Sequence, residues 1–466
     1  MSDIMTLEFI GRTEELAILE REYQKESSFV LLTGRRRIGK TRLIKEFVKN
    51  KKAFVFQAPN QTRAAILNRL TKGMKEYFGT PLGTFSDWYD LFRSIPFKTD
   101  EKLIVVIDEF QYLVKSDEDF LGGFQLIWDE VLSSANIMLI ICGSHISMME
   151  SLAKDYDGPL YGRFTRHLVL SPLPFETVRN GRDYTKELER YAILGGIPKY
   201  MELFDDVDLR ENVIHNIMSD SAIMYEDPLT ILRDEVKEVA GYMSIMESIA
   251  HGNRRLNKIA SSIEVQSTVL SPYLKRLSEM HMVKRDVPIT EDNPSKSKLG
   301  LYQISDNFTE FWFKFIYPYQ SSLSYGDMSL ALNNFDKHFI EDHVSFVFEE
   351  ECRSRTREIS RLINIPFDKI GKFWNRNTEL DVVAINNEDE IAFVAECKYR
   401  KNRKMDRHVL NELKNDVESV HELKGFRIIL GLFSVSGFED ELYHSDAILI
   451  DKGEVVHNPI NGMKTV

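Results

Sequence analysis

Up to about residue 170 the chain alternates short apolar runs with longer amphipathic stretches. Phe29-Val30-Leu31-Leu32-Thr33, Lys52 to Gln57, Leu103 to Ile107 and Ile137 to Cys142 have strand length, and helix-length sequence separates them. Continuous apolar strands spaced by helices predict a parallel sheet covered on both faces, and so an α/β class. From Phe175 to about Asp234 the strand signal gives way to helical periodicity. Arg254 to Ser262 and Ser267 to Met280 predict two short helices joined by a turn near Glu264-Val265, followed by β-like arms at Met282 to Val287 and Leu299 to Ile304. Phe308, Phe311, Trp312, Phe313, Phe315 and Tyr317 crowd the next segment, and their helical spacing reads as core and not as a base-stacking platform. The Ser-, Tyr- and Gly-rich stretch from Tyr317 to Asn334 is the linker candidate, after which mixed α/β pattern returns. Four units follow: 1–174, 175–235, 236–317 and 335–466.

Composition narrows the class. With 466 residues, 43% hydrophobic and 28% charged, the chain has the make-up of a globular protein of several domains. No segment reaches the roughly 18 apolar residues of a membrane span, so no membrane partner is expected. Met1 to Met5 lacks the basic-then-apolar layout of a signal peptide. Cys142, Cys352 and Cys397 are too scattered for a disulfide framework or a structural zinc site, which predicts a reducing, cytoplasmic location. The net charge of −12 argues against a generic nucleic-acid binder. Regional counts qualify that: Arg254 to Lys298 holds nine Lys/Arg against five Asp/Glu.

The first chemical motif is Gly34-Arg35-Arg36-Arg37-Ile38-Gly39-Lys40-Thr41, which fits G-x-x-x-x-G-K-[ST] between a strand and an amphipathic helix continuing through Arg42. Glycines let backbone N–H groups curl around phosphates, and the helix N-terminus adds a positive dipole end. Lys40 is expected on the β- and γ-phosphates of ATP and Thr41 on Mg2+. The apolar run Leu103 to Ile107 ends in Asp108-Glu109, placing one carboxylate to hold Mg2+ and a second to orient or deprotonate the attacking water. Ile137 to Cys142 ends in Gly143-Ser144-His145, where Ser144 is either a γ-phosphate sensor or a helix N-cap.

These motifs, with Phe9-Ile10-Gly11-Arg12-x-x-Glu15-Leu16 before them and Pro159-Leu160-Tyr161-Gly162-Arg163 and Leu194-Gly195-Gly196-Ile197-Pro198-x-Tyr200 after, resemble the archaeal-type ATPases, AAA+-related proteins close to the STAND class of signalling NTPases. The resemblance implies a P-loop NTPase core with a helical lid. It also implies that Ile10, Gly11 and Arg12 line the adenine and ribose end, and that Arg163 contacts the γ-phosphate, with a surface ion pair as the alternative. Ring assembly among AAA+ relatives makes a homo-oligomer an open expectation.

The middle segment resembles a winged helix-turn-helix with Ser267 to Met280 as its recognition helix. Arg254, Arg255, Lys258, Lys275, Arg276, Lys296 and Lys298 are its candidate phosphate contacts, and protein docking is the alternative use.

The second chemical signal lies in residues 371–398. Glu379-Leu380-Asp381-Val382-Val383-Ala384-Ile385 and Ile391-Ala392-Phe393-Val394-Ala395-Glu396-Cys397-Lys398 predict a hairpin. Glu396 and Lys398, two apart, share a face, and Asp381 on the neighbouring strand comes near Glu396. Two carboxylates and an ammonium there predict a divalent-metal site with a lysine to position or activate water. This resembles the PD-(D/E)xK nuclease signature and so a restriction-endonuclease-like α/β domain, of the DUF234 type that follows archaeal-type ATPases. Carried over, Asp381 and Glu396 are metal ligands, Cys397 lends its backbone carbonyl, Lys398 acts on the water, and the acidic helix Phe348 to Glu351 adds Glu349. No proline precedes Asp381, a departure from that pattern. A charged hairpin guarding a sheet edge is the other reading. Lys398 to Arg407 holds six basic residues and one acidic, either phosphate-binding charge or a solvated face.

The function this favours is an ATP-hydrolysing protein with a metal-dependent nuclease acting on DNA under control of the ATP state. A STAND-type switch whose tail binds partners without cleaving is the alternative. A transcription regulator acting through the winged helix would leave the carboxylate–lysine group idle.

Overall fold

The computed structural model describes residues 9–79, 81, 83–97, 101–205 and 207–462. The N-terminal Met1 to Met5 reading therefore lies outside the described residues. The chain divides into two compact units. The first comprises residues 1–177, 196–206 and 226–237, and the second 178–195, 207–225 and 238–466.

The first unit is built on five parallel strands, β1 (Ser28–Thr33), β2 (Ala53–Gln57), β3 (Leu103–Asp108), β4 (Ile137–Cys142) and β5 (Arg166–Val169), in the order β2-β3-β4-β1-β5. Every residue of β1, β3 and β4 is buried, which is why these read as unbroken apolar runs. β5 has no such run: it is a short edge strand in which only Leu168 is buried, and it escapes the hydrophobic pattern. Phe110, Phe120 and Phe124 interlock over the sheet in the core, with ring centroids 5.2 to 5.5 Å apart.

In the second unit, β6 (Val283–Asp286) and β7 (Leu301–Ile304) form an antiparallel pair after the helices Leu256–Ser262 and Ser267–Glu279. A six-stranded mixed sheet follows, from β8 (Lys369–Trp374), β9 (Glu379–Asn386), β10 (Ile391–Lys398), β11 (Arg427–Ser434), β12 (Ile448–Asp451) and β13 (Glu454–His457), in the order β13-β12-β11-β10-β9-β8. β10–β11 and β11–β12 are parallel and the remaining pairs antiparallel. The helices Ser345–Leu362 and Arg407–Ser419 both pack on β9 and β10, the latter through Val409, Leu410, Leu413 and Val417.

The linker expected from Tyr317 to Asn334 is overturned. It begins with a 3-10 turn at Tyr317–Tyr319 and a short helix at Gln320–Leu323, and then enters the helix Ser329–Phe339. Ala331, Phe335 and Phe339 are spaced four apart on one buried face, and Phe335 stacks on Phe339 at 4.6 Å. The small and polar residues that suggested a linker are this helix's solvent side and its approach. Phe308, Phe311, Trp312, Phe313 and Phe315 are all core residues.

Candidate functional site

The phosphate loop leaves β1 and enters the helix Lys40–Val48. Gly39, at φ +96°, starts that helix from a left-handed conformation that a side chain rarely adopts. Gly34 is equally constrained: a Cβ there would lie 2.9 Å from the Leu170 carbonyl oxygen. Lys40 is buried, and its Nζ donates to the Gly34 and Arg35 carbonyls at 2.5 and 3.0 Å. Burial holds the Lys40 pKa below its ordinary value, against the opposite pull of Cys142, Glu109 and Asp108.

Across the sheet, Asp108 Oδ2 accepts the Thr41 hydroxyl at 2.9 Å, while Oδ1 accepts the Glu109 N–H and the Cys142 thiol. Glu109 sits at φ +56° immediately after β3. Its Oε2 accepts Gln111 Nε2 at 2.5 Å and the Ser144 hydroxyl at 3.1 Å. Ser144 thus touches the second carboxylate of the Asp-Glu pair. The helix Ile146–Lys154 takes its cap from elsewhere, because Glu235 accepts from the Ile146 N–H at 2.6 Å and from the Ser147 hydroxyl at 2.5 Å.

Ile10, Arg12, Ile38, Gly39 and Arg42 line a narrow slot of about 40 Å3 beside the loop, closed by Leu173, Pro198 and Met201. Arg12 braces the slot's floor, donating to the Ile38 and Ser171 carbonyls at 3.2 and 2.7 Å and pairing with Glu15. Gly11, at φ +67°, packs so closely on Thr177 that a Cβ would overlap its methyl group. Leu173, Pro198 and Met201 carry no phosphate chemistry of their own. Of these only Pro198 stood in a quoted motif, and it gave no hint of a role at the site.

The loop's arginines turn to the helix Asp227–Glu235: Arg37 pairs with the buried Asp227 at 2.8 Å and Arg36 with Asp234 at 3.1 Å. Arg35 contributes its carbonyl to Lys40, and Arg42 pairs with Glu202 at 2.9 Å. Arg163 follows the surface-ion-pair alternative, gripping Asp129 through Nε and Nη2 at 2.9 and 2.7 Å.

The second constellation comes together in the six-stranded sheet. β9 and β10 pair antiparallel up to Val382 opposite Ala395, and continuing that register brings Asp381 to Glu396 at the next step and Glu379 to Lys398 two steps later. All four therefore share one face of the hairpin. Asp381 Oδ2 accepts the Cys397 N–H at 3.0 Å, and Lys398 is folded onto Glu396. From the helix Ser345–Leu362, Glu349 joins through Lys372, whose Nζ lies 3.1 Å from Glu349 Oε2 and also pairs with Glu379. Arg353 on the same helix donates to the Asp381 carbonyl at 3.0 Å.

Lys372, Glu379 and Arg353 were not anticipated. Lys372 falls where the β8–β9 register slips between Gly371 and Phe373, and a bulge re-aims one side chain in a way no alternating pattern announces. Glu379 lay in the quoted strand two residues before Asp381, and that period-2 spacing was the available signal.

Charge is unevenly matched here. Burial and then the Asp381 charge raise the Glu396 pKa to about 7. Burial likewise raises Glu349, helped by Asp381, and raises Asp381 itself against the pull of the Cys397 N–H and the lysines. Lys372 and Lys398 are both raised: burial works against their charge, and the surrounding carboxylates outweigh it. Among the described residues no three His, Cys, Asp or Glu groups already form a metal shell, since the lysines and the Cys397 N–H hold these carboxylates. Cys397 and Cys352 are free, buried thiols.

Comparison with known proteins joins the two halves. A family model described as an ATPase domain predominantly from Archaea matches residues 9–204, and one described as archaeal and bacterial proteins of unknown function matches residues 312–410. The uncharacterized protein MJECL04 of Methanocaldococcus jannaschii is 33% identical over 404 residues, which cover 84% of this chain and 88% of that protein. Among solved structures, the Walker-type ATPase paby2304 of Pyrococcus abyssi aligns with a TM-score of 0.48 and 20% identity over 66% of this chain and 96% of that one. The Aeropyrum pernix ORC2 protein, solved as ADPNP–ADP complexes, aligns at 0.42 and 16% over 72% and 97%. No helix among the described residues is long and apolar enough to cross a membrane. The parallel sheet, the phosphate loop with its buried lysine, and a relative matched along most of both chains agree: the chain belongs to the archaeal P-loop ATPases.

Proposed function

We propose that this ATPase is also a metal-dependent DNA nuclease, with the ATP state governing its action on DNA. The observation that carries the reading is the β9–β10 register, which sets Asp381 opposite Glu396 with Lys398 and Glu349 beside them. Like charges placed directly across a hairpin are destabilising, so the arrangement is one that a cation relieves. The carboxylate oxygens of Asp381, Glu396 and Glu349 and the Cys397 carbonyl form a hard donor set suited to Mg2+. A divalent cation there supplies positive charge to a phosphodiester and acidifies its water. Lys398, released from Glu396, orients that water or holds its proton. Arg353 and the Cys397 N–H keep Asp381 in place.

In the ATPase half, Thr41 and Asp108 hold Mg2+, Lys40 turns from its loop carbonyls to the phosphates, and Glu109 orients the attacking water. Ile10, Gly11 and Arg12 stand at the adenine and ribose end. Control by ATP is supported by the helix Tyr184–Leu194, whose Glu189 accepts the Tyr399 hydroxyl at 2.6 Å and pairs with Lys401, just beyond Lys398. That helix ends at Gly195, where the chain passes back to the ATPase unit through the left-handed pair Gly195-Gly196.

A second reading, the STAND-type switch with a non-cleaving tail, is favoured by one observation: lysines already occupy the carboxylate site. Plasmid incubated with the protein, Mg2+ or Mn2+, and ATP, ADP or no nucleotide separates the two. Nicking that disappears in Asp381→Ala is expected. No cleavage in any nucleotide state, or cleavage unaltered by the substitution, leaves the switch standing.

A further inference from the structure

The second unit contains an open cleft of about 850 Å3, distinct from the carboxylate site but sharing a wall with it. One wall is cationic, formed by Arg254, Arg255 and Lys258 around the start of the helix Leu256–Ser262 and by Lys314. Glu379, two residues from Asp381 on the same face of β9, also lines the cleft. So do the rings of Phe346 and Tyr319, and Arg254 and Lys314 lie over the Phe346 ring, 5.1 and 5.5 Å from its centre.

The pairing of these cations separates the cleft from the rest of the middle segment. On the expected recognition helix, Lys275 and Arg276 both turn to Glu279. Lys284 pairs with Glu350 at 2.5 Å, and Arg285 is spent on the Pro294 and Ser297 carbonyls. In the cleft, Arg254 and Lys314 share the buried Glu310. Arg255 and Lys258 are exposed and make no side-chain hydrogen bond or ion pair among the described residues. Of the acidic lining residues, Glu379 pairs with Lys372 outside the cleft and Asp342 with His338, itself a lining residue.

We infer that this cleft binds a single strand of DNA and leads its backbone to the carboxylate site. Two unpaired cations beside two half-neutralised ones present positive charge along a groove, and the aromatic rings of Phe346 and Tyr319 line it. That is the combination by which single strands are held. The strand enters along Arg255 and Lys258, passes Phe346 and Tyr319, and reaches Glu379 beside Asp381. Where the strand is led rests on the nuclease reading; the binding itself does not.

The test titrates the full-length protein into a labelled oligothymidylate, followed by fluorescence anisotropy in EDTA so that nothing is cut. Arg255→Ala/Lys258→Ala is expected to weaken binding by about tenfold or more and to flatten the dependence of log K on log salt by about 1.4, the share of two phosphate contacts. An unchanged thermal midpoint shows that the variant is folded. The wing pair, Lys296→Ala/Lys298→Ala, is expected to lose clearly less; a larger loss there than in the cleft pair overturns the proposal. So does tighter binding of duplex than of single strand. If Asp381→Ala fails to affect cleavage while the cleft pair still loses the strand, the nuclease reading falls and the cleft stands. If cleavage depends on Asp381 and the cleft pair binds as the parent does, the cleft alone falls.

Discussion

Two lysine sites in this chain are perturbed in opposite directions. At the phosphate loop, burial pulls Lys40 below its ordinary pKa, and its hydrogen bonds go to carbonyls of its own loop. In the six-stranded sheet, Lys372 and Lys398 are raised, and it is the carboxyls of Glu349, Asp381 and Glu396 whose ionised forms are disfavoured. Burial, the largest cause at both, disfavours the ammonium at the first site and the carboxylates at the second. The phosphates of a nucleotide would relieve the first, and a divalent cation would relieve the second. One chain therefore presents complementary demands at two places, each legible from the direction in which burial moves its neighbours.

The strongest way to break this contrast is Lys40→Ala. Removing the buried lysine of the phosphate loop should lower ATP turnover on the order of a hundredfold, measured as phosphate release. Turnover within a few-fold of the parent would mean that this lysine is not what the phosphates of ATP meet.

Acid should act on the second unit through a group that neither site uses. His343 is buried, with Nε2 donating to the Ala192 carbonyl at 2.7 Å, and burial followed by the charge of Lys314 pushes its pKa down to about 4, against Glu310 and that carbonyl. The unfolded chain takes up this proton near pH 6.5 and the folded one only near 4. Stability is thus fully present above about 6.5 and falls with pH across that window, by up to about 3 kcal/mol. His343→Gln, which cannot titrate, should start less stable at pH 7, and its deficit relative to the parent should shrink toward pH 4.5 in urea melts. A deficit that stays constant with pH would show that folding does not move the His343 pKa.

The smallest effect sharpens the edge of the nucleotide site. Arg163 holds Asp129 on an exposed surface, so Arg163→Ala should change stability by less than about 1 kcal/mol and leave ATP turnover within about twofold. A loss approaching that of Lys40→Ala would instead place this guanidinium on the γ-phosphate.

The two sites also differ in how openly the sequence announces them. The phosphate loop, its helix and the Asp108-Glu109 strand end are contiguous motifs, and the fully buried strands before them are plain apolar runs. The hairpin was legible too, because its alternation and turn fix a register that brings Asp381 to Glu396. Lys372 was not legible, since a one-residue slip in β8 decides where it points. The edge strand β5 and the helix behind the supposed linker were hidden for a shared reason. Each mixes polar and apolar residues, and burial of a few positions makes the element.

What the residues determine by themselves is local: a loop that can wrap phosphates, strands that must be covered on both faces, and a hairpin with two carboxylates and a lysine on one face. Only the tertiary structure decides which charges are already neutralised. It turns Lys275 and Arg276 to Glu279, ties Arg37 to Asp227, lays Lys372 between Glu349 and Glu379, and leaves Arg255 and Lys258 facing an open cleft. Pairing depends on which side chains meet across long stretches of chain, and that information belongs to the packed fold.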